Sequence, residues 1–280
     1  MKVKISADST CDLSEALRAQ YDVGITPLYI EKEGKNYRDG IDIVPQDIYD
    51  YVGSGQGVCR TAAVNVGDYL DVFTAYRKEY DAVIHFNISS EMSSCYQNAC
   101  MAAQELTNVY VVDSRNLSTA IGLLVLEAAE RAAAGEAPEK IAETMRETAE
   151  KVEASFVIDT LLYLQKGGRC SSLVALGANL LKLKPCIEVK DGKMGVGKKY
   201  RGKIGNCIEQ YVRERLSGRD DLRRNRIFIT HSGCAPEIVE RVRGVIAECG
   251  GFDEVLETTA GCTISNHCGP NTLGVLFIRK

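Results

Sequence analysis

The chain is expected to be an α/β protein of two units, the first built on a parallel sheet and the second on a mixed one. Three observations lead there. Strand-like apolar runs at Val3 to Ala7, Val23 to Glu31, Ala82 to Ile88 and Val109 to Asp113 alternate with segments of helical periodicity, the pattern of a parallel sheet. A long helical region, about Ser118 to Ala154, is interrupted at "AGEAP" by Gly135 and Pro138, a natural boundary. Beyond it, Asp191-Gly192 is a strong hairpin signal inside "CIEVKDGKMGVGKKY", so the second unit combines antiparallel with parallel pairing. The division is placed at residues 1–155 and 156–280.

Each later element has its own signature. "FVIDT" reads as a strand, followed by a short helix to "KGGR" and another helix through Leu181. A helix is expected near Ile204 to Leu216, a strand at "RIFITHSG", a helix over Pro236 to Cys249, a strand at "DEVLETT" and a last strand at "GVLFIRK". After Ser93, residues Tyr96, Ala99, Ala103 and Leu106 share one helical face, which puts Ser93 where a strand hands over to a helix.

Composition narrows the function. With 280 residues and 45% hydrophobic content there is enough apolar side chain for a core in each unit. Thirty-four basic and 38 acidic residues are interspersed, leaving no broad positive field for nucleic acid or an anionic membrane. The longest apolar stretch, Ala120 to Leu126, is far short of the roughly 20 residues that span a bilayer. Eleven cysteines without a CxxC pair, behind an N-terminus with no apolar signal core, indicate a reduced, cytoplasmic protein.

Polar turns carry the chemistry. "NISSEMSSCYQNA", Asn87 to Ala99, places four serines between a strand and a helix, where free N–H groups and the helix dipole favour an anion. Ser90 or Ser93 could equally serve as an N-cap. Similar turns follow strands at "DSTCDL", with Asp8, Ser9, Thr10 and Asp12, and at "VVDSRNLS", with Asp113, Ser114, Arg115 and Ser118. Strand C-termini are where ligands sit in open α/β sheets, so the three turns can converge; alternatively each is a local Asx-turn or cap.

Other motifs are incomplete. "GKKYRGKI" nearly spells a P-loop, but Ile204 stands where a magnesium-binding hydroxyl is required, and the glycines follow a hairpin; a solvated basic strand edge is the simpler assignment. No GxGxxG and no GxSxG occurs. The histidines are His85, His231 and His267 alone, so a Ser93/His267/Asp triad is the enzymatic alternative. Cys262, His267 and Cys268 lack paired zinc-ligand spacing, and no metal or other cofactor is expected. "GCTISNHCGPNTLG", Gly261 to Gly274, surrounds His267 with glycines, a loop suited either to close approach of a ligand or to a tight connection.

Taken in order, "DSTCDL", Thr61 in "CRTAAVN", "ISSEMSSCYQNA", "VVDSRNLSTAIG", "DTLLYLQKGGRCS", "LKLKPCIEVKDG", "HSG" and "GCTISNHCGPNTLG" resemble the DegV family of fatty-acid-binding proteins, over essentially the whole chain. The resemblance implies a three-layer parallel N-terminal domain and a mixed-sheet C-terminal domain, with a long-chain fatty acid between them. It implies that Ser93 and Thr61 donate to the carboxylate, that His267 and Arg169 complete the polar end, and that Ser90, Ser94, Asp8 and Ser114 support it. It further implies a non-enzymatic carrier that presents its ligand to an ATP-binding fatty acid kinase subunit, feeding phospholipid synthesis. Departures stand at Ala62, Ala63, Val64 and Asn65, where Ser-Gln-Pro-Ser is common; at Ser94-Cys95, where Gly-Thr is usual; and at Ser265, Asn266 and Asn271, where glycines are frequent. The rival assignments are an acyl-ester hydrolase or transferase using Ser93 and His267, and a module for a polar anion.

Overall fold

In the computed structural model, residues 1–170 and 183–280 are described. The first sheet has four parallel strands in the order β2-β1-β6-β7, where β1 is Val3–Asp8, β2 Gly24–Thr26, β6 Ala82–Asn87 and β7 Val109–Asp113. Ile5 pairs with Ile84 and Ile84 with Tyr110, and β6 is buried along its whole length, as the interior strand of a parallel sheet must be. Helices α3 (Val66–Arg77), α4 (Cys95–Gln104), α5 (Thr119–Ala133) and α6 (Pro138–Ala149) supply the crossovers and cover.

The second sheet has six strands, in the order β10-β9-β8-β13-β11-β12. These are β8 Val152–Val157, β9 Leu183–Lys190, β10 Lys193–Arg201, β11 Leu222–Ser232, β12 Glu254–Thr259 and β13 Thr272–Arg279. Only β11 and β12 run parallel; the other neighbours are antiparallel. Asp191 and Gly192 turn the β9–β10 hairpin with φ of 51° and 79°, the positive pair a type I′ turn requires. "GKKYRGKI" begins in β10, an edge strand, consistent with a basic strand edge.

One face of this sheet packs α8 (Ile204–Leu216) and α9 (Pro236–Glu248) around Tyr211, Ile229 and Phe277. Its other face shares a core with the first unit, in which Phe156, Phe228 and Leu276 join Ile5, Val83 and Leu124. Helix α5 is the common wall. Residues Thr119 to Ala129 are all buried, the mark of a helix enclosed on every side.

The sequence pattern misplaces three elements. The run Val23 to Glu31 is two strands, not one: Pro27 separates β2 from β3 (Tyr29–Lys32), which turns away to form an antiparallel sheet β4-β3-β5 with β4 (Lys35–Arg38) and β5 (Arg60–Ala62). The helical region to Ala154 breaks at "AGEAP" as expected, but Val152 already begins β8, whose Val152, Ala154 and Phe156 alternate into the shared core. Strand β8 therefore lies across the 155/156 division and pairs throughout with the second sheet. The Gly-rich segment around His267 contains a helix, α10 (Cys262–Cys268). The expected helix through Leu181 falls largely outside the described residues.

Candidate functional site

Helix α10 owes its position to a distant cap. The Asp39 carboxylate, just beyond β4, accepts the backbone N–H groups of Cys262 at 2.8 Å and Thr263 at 3.1 Å, and the Thr263 hydroxyl at 2.7 Å. Asp12 accepts the Gly261 N–H at 2.8 Å and the Ser118 hydroxyl at 2.6 Å. Two acidic side chains thus satisfy the donors at the start of a seven-residue helix, and anchor it against α2 (Pro45–Gly53), α7 (Leu162–Gly167) and the small sheet. Burial pushes the Asp12 carboxyl up to about 8.

This anchoring sets His267 against Thr61. Thr61 stands on β5, in register with Ile30 of β3, and its hydroxyl lies 3.0 Å from His267 Nε2. The Nδ1 edge of the imidazole abuts Gly167, at the end of α7. A Cβ built there would come within 2.9 Å of Cε1 and 3.2 Å of Cγ, and closer still to Nδ1. Glycine is the residue that fits, for steric reasons. Burial, with the nearby Arg169 cation, lowers His267 to about 4, so the ring is neutral near neutral pH and Nδ1 has no hydrogen-bond partner. Arg169 is exposed and donates to the Gly167 carbonyl at 2.8 Å, while Gly168 takes the left-handed conformation that ends α7.

Ser93 enters from the turn after β6. Its hydroxyl accepts the Cys95 N–H at 3.3 Å and donates to Cys95 Sγ at 3.2 Å. Ser94 is the N-cap residue of α4 by position, but its side chain makes no cap bond. Part of the capping role therefore falls to Ser93, whose hydroxyl hydrogen nevertheless rests on a weak sulfur acceptor.

Thr61, Ser93, Ser94, Arg169 and His267 line a single cavity, together with apolar Leu28, Ile88, Met92, Leu117, Met194 and Ile264. Its cavity volume is about 120 Å³, below the roughly 300–1,000 Å³ typical of small-molecule sites. Leu117, Ile264 and Cys268 also border a narrower slot of about 20 Å³ that runs on beside Phe156, Ala260 and Leu276, between α10 and the second sheet. The four residues expected to hold a carboxylate are therefore brought together. Leu28 and Met194, from β-rich segments far apart in sequence, carry no motif that would have announced them. The "KGG" glycine pair did offer a signal for Gly167, and Asp39 sits in "YRDGID", a plain turn to the eye.

The other expected polar residues do different work. The three turns do converge, but chiefly on one another. Asp8 accepts the Ile88 N–H at 2.8 Å and the Thr10 N–H at 3.1 Å, Asp113 accepts the Ser90 N–H at 3.2 Å, and Asp12 takes the Ser118 hydroxyl. Ser114 closes its own turn onto Asn116. Asp8, Ser90 and Ser114 do not line the cavity, though they hold the segments that do. Burial raises Asp8 to about 6 and lowers His85, which touches Ser6 at 2.9 Å inside the first unit, to about 3.

The geometry does not assemble a catalytic triad. The hydrogen bond of Ser93 goes to Cys95 and that of His267 to Thr61, and among the described residues no carboxylate is hydrogen-bonded to His267. Among the same residues no three His, Cys, Asp or Glu side chains are grouped to hold a metal, and no helix is long and apolar enough to cross a membrane.

Known proteins share this fold. A protein of Thermus thermophilus whose structure is described as fatty acid binding of a DegV family protein is 30% identical, with full coverage of both chains and a TM-score of 0.89. A stearic acid-binding protein from Eubacterium ventriosum is 26% identical, covering 99% of this chain and 98% of its own, with a TM-score of 0.87. Among curated sequences, a fatty acid-binding protein of Thermotoga maritima is 29% identical over 98% of this chain and 96% of its own length. A sequence profile described as an uncharacterised protein of the DegV family matches residues 2–280, and the chain belongs to the DegV family.

Proposed function

We propose that this protein binds a long-chain fatty acid, the carboxylate lying among Thr61, Ser93, His267 and Arg169 and the acyl chain among Leu28, Ile88, Leu117, Met194 and Ile264. The observation that carries this reading is one cavity that gathers the hydroxyl residues Thr61, Ser93, Ser94 and Thr263, a neutral imidazole and a guanidinium against an apolar lining. A carboxylate leaving water has a large desolvation cost and needs several donors, and a nearby cation offsets its charge. Thr61 and Ser93 supply O–H donors, His267 Nε2–H donates to the Thr61 oxygen and so frees that hydroxyl's hydrogen for the ligand, and Arg169 supplies the cation. The slot past Leu117, Ile264 and Cys268 offers the tail an apolar continuation.

On this reading the protein is a carrier and not an enzyme. It would present the carboxylate to a separate ATP-binding kinase for acyl-phosphate formation, as its resemblance to carrier subunits of that kind implies; the exposed Arg169 at the cavity is the feature best placed to meet such a partner. All eleven cysteines are unbridged thiols, in keeping with a reducing cytoplasm.

Calorimetric titration with a saturated acyl series tests the binding. Each buried methylene contributes about 0.8 kcal/mol, so lengthening the chain by two carbons should tighten binding by roughly an order of magnitude until the slot is full. Affinity independent of chain length would instead identify a site that reads the anion alone.

A further inference from the structure

The sulfur of Cys95 is crowded with donors. The Ser93 hydroxyl donates to it at 3.2 Å. The hydroxyl of Tyr69, on α3, and the Val64 N–H also face it. Tyr69 and Cys95 are both fully buried. Behind Tyr69, Asn87 Nδ2 donates to the phenol oxygen at 2.8 Å and lies 3.3 Å from Asp8 Oδ2. Because Asn87 donates to the phenol oxygen, the Tyr69 O–H is left to turn toward Cys95. A buried line of polar groups therefore runs from Asp8 through Asn87, Tyr69 and Cys95 to Ser93.

We propose that Cys95, with Tyr69 behind it, is a positioning residue that sets how readily Ser93 turns its hydroxyl hydrogen to a bound carboxylate. This rests on the fatty-acid reading above. In the free protein Ser93 needs an acceptor, and a thiol sulfur is a weak one. Tyr69 and Val64 already draw on the same sulfur, so Ser93 is oriented but lightly held. A carboxylate oxygen offers a shorter, charge-assisted hydrogen bond, and the hydroxyl swings to it at small cost. After that swing the sulfur still faces Tyr69 and Val64. An oxygen at position 95 would grip Ser93 harder and oppose the swing.

Palmitate titrations of the full-length wild type, Cys95→Ser, Cys95→Ala, Tyr69→Phe and the Tyr69→Phe/Cys95→Ala double variant test this, with melting of each ligand-free protein as the control. Cys95→Ser should weaken palmitate about three- to tenfold, the range of one competing neutral hydrogen bond, whereas Cys95→Ala should bind at least as tightly as wild type. Tyr69→Phe should weaken binding in the wild-type background and have no effect where residue 95 is alanine, a coupling that packing alone would not produce. Equal effects of Tyr69→Phe in both backgrounds, or a Cys95→Ser protein that binds like wild type, would overturn the proposal while leaving the fatty-acid reading intact. A wild type that ignores palmitate would overturn both.

Discussion

Replacing Gly167 by alanine isolates the contribution of His267 with a single methyl group. The backbone there is helical and not in the left-handed region, so alanine is conformationally acceptable and gains up to about 1 kcal/mol of helix propensity. The methyl, however, would stand 2.9 Å from Cε1 and 3.2 Å from Cγ of the imidazole, where ordinary contacts begin at 3.4 Å. The ring must withdraw by about half an ångström or more at Cε1 and further at Nδ1, a side-chain clash whose relief falls on the His267–Thr61 pair. That pair is already at 3.0 Å, so the imidazole swings out of line and the Thr61 hydroxyl it orients toward the carboxylate is misplaced. A hydrogen bond to a charged group is worth about 1.5–3 kcal/mol, so palmitate affinity should fall roughly 10- to 150-fold. The melting temperature of the ligand-free protein should scarcely change. Calorimetry and thermal melting read the two quantities separately. Wild-type affinity in Gly167→Ala would refute the placement of His267 in the site.

Further outcomes concern the supports of α10 and the head-group donors. Asp39→Ala leaves the Cys262 and Thr263 N–H groups without their acceptor, and should cost about 1–3 kcal/mol in urea unfolding together with a loss of ligand affinity; destabilisation with intact affinity would show that α10 holds its position unaided. Asp12 is raised by burial from 3.8 to about 8, so its contribution to stability is whole below pH 4 and is lost as pH rises to 8, at up to about 1.4 kcal/mol per pH unit. Asp12→Asn should flatten the upper part of that decline, leaving the smaller share of Asp8, raised to about 6; an unchanged pH profile would show that Asp12 is not the group responsible. Ser93→Ala should weaken palmitate about tenfold at nearly constant melting temperature, whereas a matching loss of stability without loss of affinity would return Ser93 to a purely capping role.

Local signals carried much of the fold. Period-two and apolar patterns located β1, β6, β7 and β11, and the Asp191-Gly192 pair located its hairpin, because both kinds of signal act within a few residues. What local pattern could not carry is the small sheet β4-β3-β5, whose β3 looks like a continuation of β2 until Pro27 turns it into different company. Nor could it carry α10, whose cap is supplied by Asp39, 223 residues earlier. The four proposed head-group residues were reached through ordered motifs, and they meet in space only because α10, β5, α7 and the β6–α4 turn are folded onto one cavity. Asp8 and Ser114 look alike in sequence to Ser93, since all follow strands; what separates them is that their polar atoms are already spent on neighbouring turns.

Native mass spectrometry of freshly purified protein, followed by organic extraction of whatever is released, addresses the central claim most directly. A stoichiometric fatty acid, retained by the wild type and diminished in Ser93→Ala, is the predicted result. Protein that carries no lipid, and takes up none when palmitate or oleate is added, would contradict it.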